Sequence, residues 1–252
     1  MDTPSFARTL SALALAGLCA TTLSACGGAS AAGTTSTSSP PSTTVTAAAC
    51  PQVVTPLSQA EIDEALFMRE EEKLARDVYD ELAAYWLARA GQVPVVTIMS
   101  NIRTSEQQHM DSMKAVLDCY GLPDPVDAAE THGVFVNPEL ASLYTTLTTQ
   151  GQASELAALK VGALIEEVDI QDLVDSIALS QQTYTDTVYA NLMCGSRNHL
   201  RSFAGQIIKQ TGSYTAQVID QATVDAILQS PMEQCGQTAS NGGSGQGYRG
   251  GR

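Results

Sequence analysis

The sequence predicts an all-α protein, a bundle of four long helices with one long crossover between the second and the third. Apolar residues recur at helical spacing along four long stretches. The segment from Pro123 to Gln150, which joins the second stretch to the third, is long for a connection between adjacent antiparallel helices. Hydrophobic residues make up 44% of the 252 residues, so the chain can bury one sizeable core.

The first helix has a clear beginning and a clear end. Ser58 and Glu61 form a Ser-x-x-Glu capping box, in which each side chain accepts a hydrogen bond from a backbone N–H of the first turn. Gly91, with Pro94 beyond it, is typical of a helix end. We therefore expect this helix to run from Ser58 to Ala90.

One face of the first helix mixes acidic and core-forming residues. An otherwise apolar stripe at helical spacing includes a carboxylate: Met68, Glu72, Ala75, Tyr79, Leu82 and Trp86. Glu71 borders the same apolar arc, so periodicity does not separate it from Glu72. A run such as Glu70–Glu72 is most often a solvated acidic face. The aromatic companions Tyr79 and Trp86 nevertheless favour an inward position for one of the three acids.

The second helix, expected from Val96 to Tyr120, contains the pair Glu106-x-x-His109. Residues three apart share a helix face, so the carboxylate and the imidazole can reach the same metal ion. The rest of their stripe is apolar and should face the core, where a buried charge needs a partner such as a metal. One Glu-x-x-His pair occurs by chance in many helices, so the interpretation depends on the other helices.

The third long helix, expected from Ala153 to Leu179, alternates acids with aliphatic residues instead of segregating its charge. Its candidate ligands are Glu166, or Glu167 in its place, together with Asp169, which lies three residues after Glu166 on the same face. A shorter helix within the crossover, from residue 137 to residue 148, precedes it, with a proline in its first turn.

The fourth long helix, expected from Tyr184 to Thr211, carries a second histidine on an apolar stripe. His199 shares this stripe with Val188, Leu192 and Phe203. The chain has three histidines, and His132, in the crossover, is interpreted as an ordinary loop residue. The four helices thus supply the ligands of a di-metal carboxylate bundle, in which two helices give a Glu and two give Glu-x-x-His. In chain order these are Glu72, Glu106 with His109, Glu166 or Glu167, and His199.

Residues from about Ser58 to Gln217 resemble the ferritin-like superfamily, and in particular its DUF2202 group. The resemblance lies in residues 68–79, 106–110, 166–173 and 195–203, one stretch from each long helix. Glu72, Ala75, Arg76 and Tyr79 are similar to the first ligand helix of rubrerythrins. This resemblance implies a ferritin-like bundle in which Glu72 is a metal ligand and Tyr79 is a nearby supporting or redox-active group.

One position departs from the superfamily pattern. A Glu is expected three residues before the last His, but Ser196 stands there, preceded by Gly195. Asp169 on the third helix can compensate for the missing carboxylate. Otherwise the site holds its second metal loosely or holds one metal only. The departure speaks against ordinary ferritin-type iron oxidation but leaves metal binding.

The ligand types suit particular metals and chemistries. Mixed carboxylate and imidazole ligands suit Fe or Mn, as two ions or one, and can also hold Zn. The resemblance implies oxygen or peroxide chemistry at a di-iron or di-manganese centre, in a metal-dependent oxidoreductase, a peroxidase or a metal-handling protein. Asp111, Asp172 and Asn198 are candidates to hold the imidazole rings in place.

Two other interpretations remain open. The protein could be a non-catalytic lipoprotein interaction module that keeps the bundle in order to bind a partner. It could also be a purely structural bundle whose buried acids pair with arginines, for which the candidates are Arg76, Arg103 and Arg197.

The N-terminal residues predict export. Leu10 to Leu23 is an apolar run too short for a spanning helix, and it ends in Leu23-Ser24-Ala25-Cys26, which resembles a bacterial lipobox. We expect residues 1–25 to be a lipoprotein signal peptide and Cys26 to carry lipid, so that the protein is anchored to a membrane and faces the periplasm or the cell exterior. An ordinary secretory signal cut near the same place is the alternative.

Composition divides the remainder into a body with two tails. Residues 26–49 read as a Ser/Thr/Ala/Gly-rich tether, 50–236 as the helical domain and 237–252 as a disordered Gly-rich tail. Two disulfides are expected in the body, with the pairing left open, among Cys50, Cys119, Cys194 and Cys235. The net charge of −14 excludes nucleic acid as an expected partner and favours metal ions. The sequence does not determine the oligomeric state.

Overall fold

The computed structural model describes residues 50–51 and 55–236. These residues form seven helices and no strand, so the prediction of an all-α protein is confirmed. The predicted signal peptide, the lipid site at Cys26, the tether and the Gly-rich tail lie outside the described residues. None of the helices in the described part of the chain is long and apolar enough to cross a membrane.

Four long helices and three shorter ones make up this part of the chain. They are α1 (Gln59–Ala90), α2 (Pro94–Tyr120), α3 (Pro125–Ala128), α4 (Pro138–Gly151), α5 (Glu155–Leu179), α6 (Thr183–Thr211) and α7 (Gln221–Gln229). The long helices begin within two residues of the predicted positions, and the capping box of Ser58 and Glu61 is formed at α1. The sequence did not predict α3 or α7, because a helix of one or two turns shows too little periodicity.

Two apolar clusters fill the interior, and their order along each helix gives the helix directions. The first cluster includes Tyr79, Ile102, Ile165 and Phe203, and the second includes Met68, Met113, Leu173 and Leu192. Along α1 and α6 the chain passes from the second cluster to the first, whereas along α2 and α5 it passes from the first to the second. Because α2 and α5 therefore run in the same direction, a crossover must span the length of the protein between them.

Buried ionic side chains of α1 hold this crossover in place. Glu70 accepts hydrogen bonds from the backbone N–H groups of residues 136 and 137, at 2.6 and 3.0 Å. Lys73, which is fully buried, donates to the carboxylate of Asp77 at 2.5 Å, and Asp77 also accepts from the backbone N–H of Gly133. Glu70, Lys73 and Asp77 thus position the crossover through charged groups that are separate from the acids facing the four long helices.

A C-terminal segment, residues 213–236, packs along α5 and α6. Glu167 of α5 accepts hydrogen bonds from the Tyr214 hydroxyl at 2.5 Å and from the backbone N–H groups of residues 217–219. Further along, Glu233 pairs with Arg197 and Arg201 of α6. We call residues 213–236 the strap.

The four cysteines of the body form two disulfides, as the sequence predicted, and the structure resolves their pairing. Cys50 is bonded to Cys119, which ties the start of the body to the end of α2. Cys194 is bonded to Cys235, which ties the strap to α6. Both bonds close long loops, which limits the freedom of the unfolded chain.

Alanine substitutions at two glycines test how tightly the long helices pack. A Cβ at Gly162 of α5 would overlap the ring of Phe203, which is fully buried, whereas a Cβ at Gly205 of α6 would meet nothing within 4 Å. We expect Gly162→Ala to lower the free energy of unfolding by about 1–3 kcal/mol through overpacking. Gly205→Ala should instead raise it by up to about 1 kcal/mol, because Ala favours the helix.

Urea denaturation of both variants and of the wild type measures this contrast. Equal stabilities of Gly162→Ala and Gly205→Ala would contradict the close contact between α5 and α6 at Gly162.

Candidate metal centre

A layer of buried acids and imidazoles lies between the two apolar clusters, and each long helix contributes to it. None of its main members is more than 7% exposed: Glu72 of α1, Glu106 and His109 of α2, Glu166 and Asp169 of α5, and His199 of α6. Glu72, Glu106, His109 and His199 lie where their helices pass from one apolar cluster to the other, and Glu166 and Asp169 lie just before α5 makes the same change. The structure thus brings these six side chains, the candidate ligands that the sequence predicts, to one part of the interior.

Glu106 occupies the centre of this layer, between the two imidazole rings. Its Oε2 lies 2.8 Å from Nδ1 of His109, and its Oε1 lies 2.9 Å from Nδ1 of His199. The two rings are stacked, with centroids 5.5 Å apart and an angle of 29° between their planes. Both histidines therefore present the same nitrogen to the same carboxylate.

One further carboxylate flanks each imidazole. Glu72 Oε2 lies 3.2 Å from Nδ1 of His109, and Glu166 Oε2 lies 3.3 Å from Nδ1 of His199. The result is two triads that share Glu106, and within each triad the three potential ligand atoms lie within 4.8 Å of one another.

The spacing of these atoms is that of ligands around an ion. Two ligand atoms each about 2.1 Å from a metal and at right angles to one another lie about 3 Å apart. Glu106 Oε1 and His199 Nδ1 are close to this separation and face each other, whereas the buried Glu72 Oε1 has no hydrogen-bond partner. Buried polar atoms without hydrogen bonds are costly, so a cation is the partner that fits them.

The pKa values of the buried acids and imidazoles also show that these groups require compensating positive charge. Burial raises the pKa of Glu72 to about 7, although His109 opposes the shift. Burial acts in the same direction on Glu106, but His199 and His109 outweigh it and hold the pKa of Glu106 below its usual range. Burial favours the neutral ring of His199, yet Glu106 and Glu166 raise its pKa to about 10. Protons or metal ions can supply the charge that these groups require.

Three residues around the triads fix the ligand side chains. The Tyr79 hydroxyl donates to Glu166 Oε1 at 2.6 Å, so Tyr79 holds a side chain of one triad in place. Nε2 of His199 lies 2.9 Å from the Ser105 hydroxyl, which holds the ring with Nδ1 facing the carboxylates. The ring of His109 lies directly against Gly195, where a Cβ would overlap the imidazole.

The sequence analysis did not assign roles to Ser105 and Gly195. Ser105 stands next to Glu106 and four residues before His109, and Gly195 precedes Ser196 and lies four residues before His199. The sequence feature that could have indicated these two residues is their small size at helix positions that face the histidines.

Asp169 lies beside the triads without belonging to either. Its Oδ2 accepts a hydrogen bond from Ser196 of α6. In this part of the layer the carboxylate is thus supplied by α5 and faces a hydroxyl of α6. Burial raises the pKa of Asp169, and the charges of Glu72 and Glu166 add to the effect.

The structure places the two alternative candidate ligands, Glu167 and Glu71, outside the triads. Glu167 faces the strap, where its carboxylate is fully engaged, so it does not replace Glu166 in the layer. Glu71 is buried next to Glu72, but it is not part of either triad. An inward position was predicted for one acid of Glu70–Glu72, and all three are buried, because α1 is covered on several sides.

Most of the residues proposed to orient the imidazoles make other contacts. Asn198 donates to the backbone carbonyl of Glu233 at 3.0 Å, so it faces the strap and not the His199 ring. Asp111 is exposed and accepts from Gln107. Asp172 is buried on α5, where its charge acts on Glu71.

The arginines proposed to neutralise the buried acids pair elsewhere. Arg76 contacts Asp77, Arg103 contacts Asp80, and Arg197 contacts Glu233. The structure therefore does not support a bundle in which these arginines balance the acids of the layer.

Fold and site together define an all-helical protein with a buried layer of carboxylates and imidazoles that is suited to bind cations. The family described as "Uncharacterized protein domain (DUF2202)" matches residues 61–231, and the chain belongs to this family. The chain is similar to the uncharacterized protein MJ0754 of Methanocaldococcus jannaschii, with 42% identity over 179 residues, which is 71% of this chain and 92% of the relative.

A solved structure of this relative is also similar to the chain. The crystal structure of the hypothetical protein MJ0754 from Methanococcus jannaschii is similar to this chain with a TM-score of 0.67 at 42% identity. The match covers 73% of this chain and 99% of that chain.

The electrostatics of the metal-free layer can be tested directly. In protein treated with a chelator, we expect His199 to titrate near pH 10 and Glu106→Gln to bring this pKa down, because one of its two neighbouring carboxylates is removed. NMR titration of the ring nitrogens measures both values. Glu70→Gln is the control, because its carboxylate contacts backbone N–H groups in the crossover. An unchanged pKa in Glu106→Gln would contradict the proximity of Glu106 to His199.

The same shifts predict how stability depends on pH in the metal-free protein. The folded-state pKa of His199 is raised above 6.5 to about 10, so its stabilising contribution is complete below pH 6.5 and is lost as pH rises through 10. The raised pKa of Glu72 acts in the same direction between pH 4.5 and about 7.

Proposed function

We propose that this protein is an exported, ferritin-like four-helix bundle that binds iron or manganese at the layer described above, as two ions or one, and serves as an oxidoreductase or a metal-handling protein. The observation that carries the proposal is the position of Glu106, whose two oxygens each face an imidazole nitrogen. Glu106 would thus offer one carboxylate oxygen to an ion beside each imidazole.

The bundle assignment is supported by the directions of the helices. In the order α1, α2, α5, α6 they run up, down, down and up, with the long crossover between the two parallel members. This is the arrangement expected of a ferritin-like bundle with one crossover.

The donor set fits a pair of transition-metal ions. Glu72, Glu106 and His109 would hold one ion, and Glu106, Glu166 and His199 would hold the other. Carboxylate with imidazole suits Fe and Mn and also admits Zn. Bound iron or manganese would supply one-electron redox chemistry toward oxygen or peroxide.

The surrounding residues prepare the site for such chemistry. Tyr79 holds Glu166 by a hydrogen bond, and Ser105 holds the His199 ring. The apolar clusters on both sides exclude water, and the two imidazoles are slightly more exposed than the ligand glutamates. We infer that small reactants approach from the α2–α6 side, where the histidines lie.

The proposed location outside the cytoplasm has one structural support. Disulfides persist in oxidising compartments, and the described residues contain two. Lipid attachment at Cys26 rests on the sequence pattern alone.

Metal analysis tests the proposal. Protein stripped with a chelator and then exposed to Fe²⁺ without oxygen, or to Mn²⁺, should retain metal after gel filtration, and each of His109→Ala and His199→Ala should lower the amount bound. His132→Ala is the matched control, because His132 lies in the crossover, where it contacts Tyr144. If the wild type held no more metal than the double variant His109→Ala/His199→Ala, the proposal would be wrong.

A turnover assay separates the two roles. Iron- or manganese-loaded protein that consumes oxygen or peroxide supports an oxidoreductase. Loaded protein that shows no turnover contradicts the enzymatic role and leaves metal handling, or the alternative of a non-catalytic interaction module.

Ser105 provides a finer test of the site. Removing a group that orients a ligand imidazole typically lowers metal affinity about 10- to 100-fold. We expect this loss in Ser105→Ala, measured by competition with a chelating dye. Ser112→Ala on the same helix should bind as the wild type does, because the Ser112 hydroxyl donates to the backbone carbonyl of Gln108. Equal affinities of the two variants would contradict a role for Ser105.

A further inference from the structure

The two triads share Glu106 but differ in how neighbouring residues hold their other side chains. We call them the His199 triad and the His109 triad, after the histidine in each. The His199 triad contains Glu166, and the His109 triad contains Glu72. In each triad a carboxylate oxygen of this further glutamate faces the imidazole Nδ1, at 3.3 and 3.2 Å respectively. The potential ligand atoms are thus alike, and the difference lies in the surroundings of the triads.

The His199 triad is held by a hydrogen bond to each of the two side chains that it does not share. The Tyr79 hydroxyl donates to Glu166 Oε1 at 2.6 Å, which leaves Oε2 facing the His199 ring. Tyr79 is itself fixed, because it is fully buried and its ring packs on Phe203, with centroids 5.4 Å apart. The Ser105 hydroxyl lies 2.9 Å from Nε2 of His199. Both side chains are therefore oriented without the help of an ion.

The corresponding side chains of the His109 triad lack comparable hydrogen bonds among the described residues. Glu72 Oε1 is buried without a hydrogen-bond partner. The His109 ring lies against Gly195, which stands four residues before His199, just as Ser105 stands four residues before His109. Gly195 gives the ring a close steric fit, but a glycine has no side chain that could bond to the imidazole. One triad is thus held from outside, and the other is not.

This difference in support predicts a difference in affinity. Ligands that are already oriented lose less conformational freedom when an ion binds, so they bind it more tightly. Removing one group that orients a ligand typically lowers metal affinity about 10- to 100-fold. Tyr79 and Ser105 are two such groups, and both act on the His199 triad. Charge does not offset their effect, because each triad contains two carboxylates and one imidazole.

We infer that the two triads bind metal unequally: the His199 triad holds a resident ion, and the His109 triad holds an ion that binds second and exchanges readily. The inference rests on the proposed function, since it concerns ions in the same layer. Tyr79 and Ser105 are then the positioning residues that set the order of loading. The exchangeable ion beside His109 is the one that a metal-handling protein would take up and release.

Anomalous diffraction at limiting metal tests the order of loading. Chelator-stripped protein is crystallised with one Mn²⁺ per chain and, separately, with excess Mn²⁺. At one Mn²⁺ per chain we expect a peak on the His199 side of Glu106 and a much weaker one, or none, on the His109 side. Excess Mn²⁺ should fill both positions.

Calorimetric titration with Mn²⁺ tests the cause. Tyr79→Phe keeps the ring and removes the hydroxyl, so it should weaken the first binding step about 10- to 100-fold and leave the second unchanged. Tyr214→Phe is the matched control, because it removes a hydroxyl that donates to Glu167, which faces the strap. It should bind both ions as the wild type does. Ser105→Ala should also weaken only the first step, and it decides the result if circular dichroism shows that Tyr79→Phe is not folded.

The outcomes separate this inference from the proposed function. If the His109 side fills first, or if both sides fill equally at one Mn²⁺ per chain, the inference is wrong and the proposed metal centre stands. The inference is also wrong if Tyr79→Phe and Ser105→Ala weaken both steps equally. If no ion enters the layer even with excess Mn²⁺, the proposed centre fails, and the inference fails with it.

Discussion

Glu106 lies in the interior of the protein with an imidazole on either side, and the other acids of the layer are arranged around this contact. Carboxylates removed from water must be compensated by positive charge or hydrogen bonds, and each one left without compensation would cost several kcal/mol. In this layer the compensation does not come from the arginines, which pair with acids elsewhere. It can come from the histidines as imidazolium ions, or from bound metal with the histidines neutral. The packing of the four long helices is thus compatible with the buried acids when protons or metal ions neutralise them.

The rest of the fold keeps this layer at one depth. Apolar clusters above and below exclude water, and the parallel course of α2 and α5 requires a crossover that α1 holds through Glu70, Lys73 and Asp77. The strap covers the outer side of α5 and α6, fixed by Glu167, Glu233 and a disulfide. The buried ionic side chains therefore have two separate roles in the structure. Those that face neighbouring backbone or arginines hold the chain together, and those that face one another are suited to hold ions.

The sequence predicted the long helices and most of the centre because both leave a periodic signal. Glu72, Glu106, His109 and His199 interrupt apolar stripes at positions that a helix brings to one face. Periodicity could not separate Glu166 from Glu167, because α5 is covered all round, by the other long helices on one side and by the strap on the other. It could not place Asn198 either, since a residue adjacent to His199 points about 100° away around the helix. Contacts of this kind depend on a segment distant in the chain, and its position is not encoded in local spacing.

The central claim is that the two triads sharing Glu106 bind metal, and anomalous X-ray diffraction tests it most directly. Crystals grown with Mn²⁺ should show, in maps from data collected near the manganese absorption edge, a peak beside Glu106 on the His109 side and a second on the His199 side. Peaks confined to the protein surface, with none in the buried layer, would contradict the account and would leave a bundle whose acids and histidines are balanced by protons.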